Sequence, residues 1–183
     1  MLAAFLICWA HGASAVVSGI TFSDVTAGAF AAVWLSDEPV SAATVRVFAD
    51  GAGTSEITQT LSVTAVSTGL LLGIAKVDVS GVAADTCVYV QTETTGSSSV
   101  VEPSSPPYLE VCTEAASRKA NALGRPIAND LIRHGILAPD GATPAAGALM
   151  LLSVPGLGAH PLSAFAGGGL PSPSAVADLH NLF

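Results

Sequence analysis

Between Ile20 and Glu114 the chain is written as seven short runs of alternating or β-branched residues: ITFSDV, AFAAVWL, TVRVFA, ITQTLSVTAV, LLGIAKVDV, TCVYVQTET and YLEVCTE. Gly, Ser, Asp, Thr and Pro break each run from the next. Val and Thr lose χ1 freedom in a helix, and no apolar stripe of period 3.6 is sustained, so the runs read as strands. Seven strands at this spacing are what a β-sandwich requires. Successive side chains of a strand point to opposite faces, so Phe30, Ala32 and Trp34 share one face of the second run, and Val45 and Val47 share one face of the third. These faces are the expected core, with Trp34 as its marker.

Three stretches carry a resemblance to fibronectin type III domains over about residues 17–114: the opening ITFSDVTAGAF, Trp34 at the end of the second strand, and the late VDVSGVAADTCVYVQTET. The late stretch is similar to the family's L-x-x-x-T-x-Y-x-V pattern, in which a Tyr tucks its hydroxyl under a corner of the sandwich. Thr86 stands at the Thr position, but Val88 stands at the Tyr position, and Tyr89 falls on the opposite face. The resemblance implies an all-β, fibronectin type III-like sandwich. It implies no chemistry, because fold alone does not assign function. Such sandwiches also precede metallophosphatase domains, but the metal-binding Asp and His motifs of those enzymes are absent from this sequence.

Gly96–Pro107, GSSSVVEPSSPP, reads as a loop before a last edge strand at Tyr108–Thr113, since proline fixes φ and removes a ladder donor. Residues 115–124 follow as a linker or short helix of good helical propensity. Residues 125–183 then form a second, smaller or incomplete β unit, with a turn at Asp140-Gly141. Its DGATPAAGALMLLSV is similar to the opening of carboxypeptidase-regulatory-like and other Ig-like surface modules. Three or four strands in 59 residues make a poor sandwich. Either the chain is the N-terminal part of a longer surface protein, or the second unit completes itself by docking on the first.

Residues 1–15, MLAAFLICWAHGASA, place an apolar run from Leu2 to Ala10 before Ala13-Ser14-Ala15, the small-x-small form that signal peptidase accepts. Cleavage after Ala15 leaves Val16 as the first mature residue; the competing reading is a buried N-terminal helix. The run is about half of the roughly 20 residues that span a bilayer, and no later segment of that length stays apolar. Removal of Cys8 with the leader leaves Cys87 and Cys112. In an oxidising compartment these two bond, restraining the unfolded chain by about 3 kcal/mol; otherwise they pack as small hydrophobes.

A formal net charge of −8 and six basic residues, Arg46, Lys76, Arg118, Lys119, Arg125 and Arg133, leave no patch to neutralise phosphates. Nucleic acid and anionic lipid are excluded as partners on that ground. His134, His160 and His180 are 26 and 20 residues apart, which is no metal-ligand spacing on one element, and His11 lies in the leader. There is no G-x-S-x-G, H-E-x-x-H or C-x-x-C, and Leu170 and Pro171 follow Gly167-Gly168-Gly169 where a P-loop needs Lys and Ser or Thr. Asp24, Asp37, Glu38, Asp50, Asp78 and Asp85 sit at turns and strand ends, where Asp caps its own backbone; an isolated pair falls short of calcium's six to eight oxygens. With Trp9 in the leader and Trp34 in the core, Tyr89 and Tyr108 are the remaining aromatics for stacking a sugar.

The sequence therefore points to a secreted, non-catalytic structural or interaction module of the cell surface or an extracellular assembly, without cofactor. Its expected partners are other extracellular proteins or itself. The alternative is a glycan- or peptide-binding accessory module of a larger extracellular enzyme.

Overall fold

Alternation of buried and outward residues gives the β-branched runs a face to bury, and the computed structural model pairs them into antiparallel sheets. It describes residues 15–115, 132–136, 139, 142, 145–153, 159–167 and 175–179. The strands of the first half are β1 (Val17–Ser23), β2 (Ala29–Ser36), β3 (Ala42–Phe48), β4 (Ser62–Val66), β5 (Ile74–Ser80), β6 (Cys87–Thr95), β7 (Ser99–Glu102) and β8 (Leu109–Cys112). One sheet runs in the order β1-β2-β5-β4, and a second runs β3-β6-β7 with β8 also paired to β6. Both sheets supply one hydrophobic core, which is the layout of a β-sandwich: Phe30, Ala32, Trp34, Ala75, Val77 and Val79 from the first meet Val45, Val47, Val88, Val90 and Val111 from the second. Trp34 is fully buried, and its Nε1–H donates across the core to Thr94 Oγ1 at 2.7 Å.

Three segments differ from the run pattern. Thr58–Thr60 and Ser67–Leu72 are short 3-10 helices, so the fourth and fifth strands start later than their apolar runs do. The second helix ends at Gly73, with φ +73, where a Cβ would meet the Ser36 carbonyl oxygen; only glycine fits this turn. Third, Ser99–Glu102 pairs with β6 rather than forming loop, because Val100 and Val101 supply strand-forming side chains before the first proline. The edge beside β6 is thus shared: β7 covers Thr92–Thr95, β8 covers Cys87–Val90, and the proline segment bridges them. Gln91 lies at the gap, where its Nε2 donates to the Pro103 carbonyl at 2.8 Å and replaces the missing ladder bond.

In the second half β9 (Ile132–Ile136), β10 (Leu149–Leu152), β11 (Leu162–Gly167) and β12 (Ala175–Leu179) make one antiparallel sheet in the order β10-β11-β12-β9. Among the described residues its buried cluster is Ala166, packed by Ala148, Met150 and Ala164. The sheet also packs on the first half. Asp24 N donates to Pro161 O at 2.9 Å, Phe165 takes the space beside Gly69, and Leu72 lies against Gly147. β2 is buried on both faces: Ala31 and Val33 point away from Trp34 by alternation and are buried too. The leader up to residue 14, the linker or helix expected over 115–124 beyond residue 115, the Asp140-Gly141 turn, and His11 and His180 lie outside the described residues.

Candidate functional site

Among the described residues, a cluster of polar side chains sits at the seam between the halves. β1 ends at Ser23, and the next residue, Asp24, takes the left-handed conformation with φ +54. That turn aims its carboxylate at β11, where Oδ1 accepts from Ser163 N at 2.8 Å and Oδ2 from Ser163 Oγ. Lys76 of β5 reaches the same carboxylate at 2.9 Å and lies 3.5 Å from Asp78. Ser23, fully buried, donates through its Oγ to Ser163 Oγ at 3.0 Å. Two hydroxyls, two carboxylates and an ammonium in one place are the raw material of nucleophilic chemistry. Here each is engaged with another: Asp24 is occupied by Lys76 and Ser163, and Ser23 has no exposed surface from which to attack a substrate. The arrangement ties two sheets together.

A second group lines the outer face of β6 and β8. Cys87 and Cys112 stand directly opposite in register and form a disulfide across 25 residues of chain. Glu110 is beside them, so three ligand-type atoms fall within 4.8 Å of one another, but both sulfurs are consumed in the bond. Tyr89 donates its hydroxyl to Glu110 Oε1 at 2.9 Å, and this hydrogen bond to a carboxylate raises the phenol's pKa. The Tyr89 ring also covers Gly51, while Tyr108 covers Gly53 and stacks on Phe48 with ring centroids 4.7 Å apart. Asp50 closes the intervening loop, accepting from Ala52 N, Thr54 N, Thr54 Oγ1 and Ser55 N. These donors, Thr54 N foremost, hold its carboxyl below the usual aspartate value. Arg46 completes the edge, 5.2 Å over the Phe48 ring and paired with Glu56, whose hydrogen bond raises the guanidinium and is itself held down in return.

No family model, curated protein or solved structure matches the chain. The geometry alone therefore carries the functional reading.

Of the residues singled out in the sequence, the structure brings Cys87 and Cys112 together and puts Trp34 at the centre of the core. Tyr89 and Tyr108 flank the loop closed by Asp50, half-buried, with their rings against Gly51 and Gly53. Val88 is core and Tyr89 is outward, each on the face that alternation assigns. His134 lies on β9 opposite Ala177 and His160 precedes β11. The seam had no sequence signal beyond Asp24 as a turn carboxylate, since Ser163 is 139 residues away from it. Among the described residues no helix is long and apolar enough to cross a membrane.

Proposed function

We propose that this chain is an exported, non-catalytic structural or interaction module of the cell surface or an extracellular assembly, built on a fibronectin type III-like sandwich. The observation that carries the reading is the Cys87–Cys112 disulfide, exposed on the outside of a sheet. Such bonds persist in oxidising compartments and are rare in the cytosol. The strand orders β1-β2-β5-β4 and β3-β6-β7 support the resemblance, since an immunoglobulin-like sandwich divides its strands in this way. Further support comes from the seam, where the groups best suited to chemistry are committed to joining two sheets. A partner, either another extracellular protein or a second copy, would meet the edge strand β4 and the part of β3 before Val47, whose own backbone is already held by Ile57 and Thr58.

The test is the non-reduced intact mass of the natural protein recovered from the extracellular or envelope fraction, with sedimentation of the same material. A chain starting at Val16 and lacking two hydrogens, and associating with itself or a co-purifying protein, supports the reading. Recovery from the cytosol with both thiols free overturns it, and retention on a polysaccharide column transfers it to a glycan-binding accessory module.

A further inference from the structure

The segment entering β1 is held to the turn after β2 by a reciprocal pair of bonds. Val16 N donates to Asp37 Oδ1 at 2.8 Å, and Asp37 N donates back to Val16 O at 3.2 Å. The ion pairs among the described residues are Arg46–Glu56, Lys76–Asp24 and Lys76–Asp78, so Asp37 meets no cation among them. Its neighbour Glu38 is turned the other way and accepts from Ser97 N and Ser97 Oγ at 2.8 and 2.7 Å. On the other side Ser98, a neutral group, lies 3.4 Å from Ala15 N. The two charged side chains of the turn are thus both acidic, and only the Asp37 carboxylate is seated on the Val16 nitrogen.

We infer that Asp37 is a ready-made site for the α-ammonium of Val16, the group created when the leader is cut off after Ala15. The inference rests on the export reading. Hydrolysis breaks the bond between the Ala15 carbonyl carbon and Val16 N. Water supplies oxygen to the Ala15 carboxylate, and the amine, at neutral pH, holds the proton that the acid releases. One N–H donor facing Asp37 becomes a positively charged group with three, so an amide hydrogen bond turns into a charge-assisted one. In the folded chain Ala15 is buried and Val16 exposed, and the pairing is made once β1 has joined the sheet.

Chains beginning at Val16, released from an N-terminal fusion, carry this amine whatever happens in the cell. They are prepared with Asp37 or with Asp37→Asn, each as the free amine and as the Nα-acetylated form. A paired ammonium has a raised pKa and less neutral amine at pH 7, so Asp37→Asn is expected to speed acylation of the α-amine by an activated ester about threefold or more, read by mass. Asp37→Asn is expected to lower the melting temperature of the free-amine chain by about 1–4 °C, and that of the acetylated chain by less. Should the variant fold poorly, acetylation of the unmutated chain gives the same comparison and is expected to lower its melting temperature. Equal acylation rates with and without Asp37, or a melting temperature indifferent to acetylation, overturn the pairing. A natural protein that begins at Met1 instead overturns the processing on which it rests, and the intact mass distinguishes the two failures.

Discussion

Replacing Trp34 with Phe removes one hydrogen-bond donor and part of one ring from the centre of the sandwich. The Nε1–H bond to Thr94 Oγ1 is 2.7 Å long, and both residues are 0% exposed, so water cannot substitute for the lost partner. An unpartnered buried hydroxyl costs about 1–3 kcal/mol. The smaller ring adds about 1–2 kcal/mol in lost packing, for a total of roughly 2–5 kcal/mol. Thr94→Val leaves the indole N–H without its acceptor and is expected to cost about 1–3 kcal/mol by the same reasoning. When both are changed, neither polar group remains and neither unpartnered-group cost is incurred. The double variant should therefore cost about 2–6 kcal/mol less than the sum of the single ones. Urea denaturation followed by far-ultraviolet circular dichroism measures all four stabilities on chains starting at Val16. Additive single and double variants would refute the reasoning, because the indole and the hydroxyl would then contribute independently.

Cys87→Ser with Cys112→Ser is expected to lower stability by about 3 kcal/mol, the loop-closure entropy of 25 residues, and reductant should leave this variant's urea midpoint unmoved while shifting that of the unmutated chain. Asp24→Ala strips Ser163 of its acceptor and leaves Lys76, whose side chain is 12% exposed, with Asp78 alone at 3.5 Å. A loss of about 1–3 kcal/mol is expected, with faster tryptic cleavage after Arg133 on β9, whereas Arg46→Ala at the solvent-facing Glu56 pair should shift stability by about 0–1 kcal/mol. Asp50 has a lowered folded pKa, so its contribution is present above the ordinary aspartate value of 3.8 and is lost as pH falls through the lower folded one. The amide shifts of Ala52, Thr54 and Ser55 should titrate with a midpoint below 3.8, and a midpoint at or above that value would show that these bonds do not favour the charged carboxyl.

Much of the sandwich was legible in the residues because strand periodicity is local. The alternation that places Phe30, Ala32 and Trp34 on one face, and Val88 and Tyr89 on opposite faces, needs no knowledge of partners. Segment ends were less legible. The apolar LLG before Ile74 reads as strand, yet Leu71 and Leu72 lie in a 3-10 helix because Gly73 turns the chain under the Ser36 carbonyl. Ser99–Glu102 reads as loop beside its prolines, yet the open edge of β6 pairs with it. Cysteine count limited the disulfide to Cys87 and Cys112 once the leader was set aside, but only the β6–β8 register brings them face to face.

By itself the sequence determined the all-β class, the inward faces of the strands, the acidic and patch-poor surface and the small-x-small junction at Ala15, all of which follow from neighbours within a few residues. Tertiary structure alone decided that Asp24, Lys76 and Ser163 close the seam and that Asp37 sits on Val16 N. These contacts join residues 21 to 139 positions apart, and their partners are chosen by how the sheets pack rather than by any local preference.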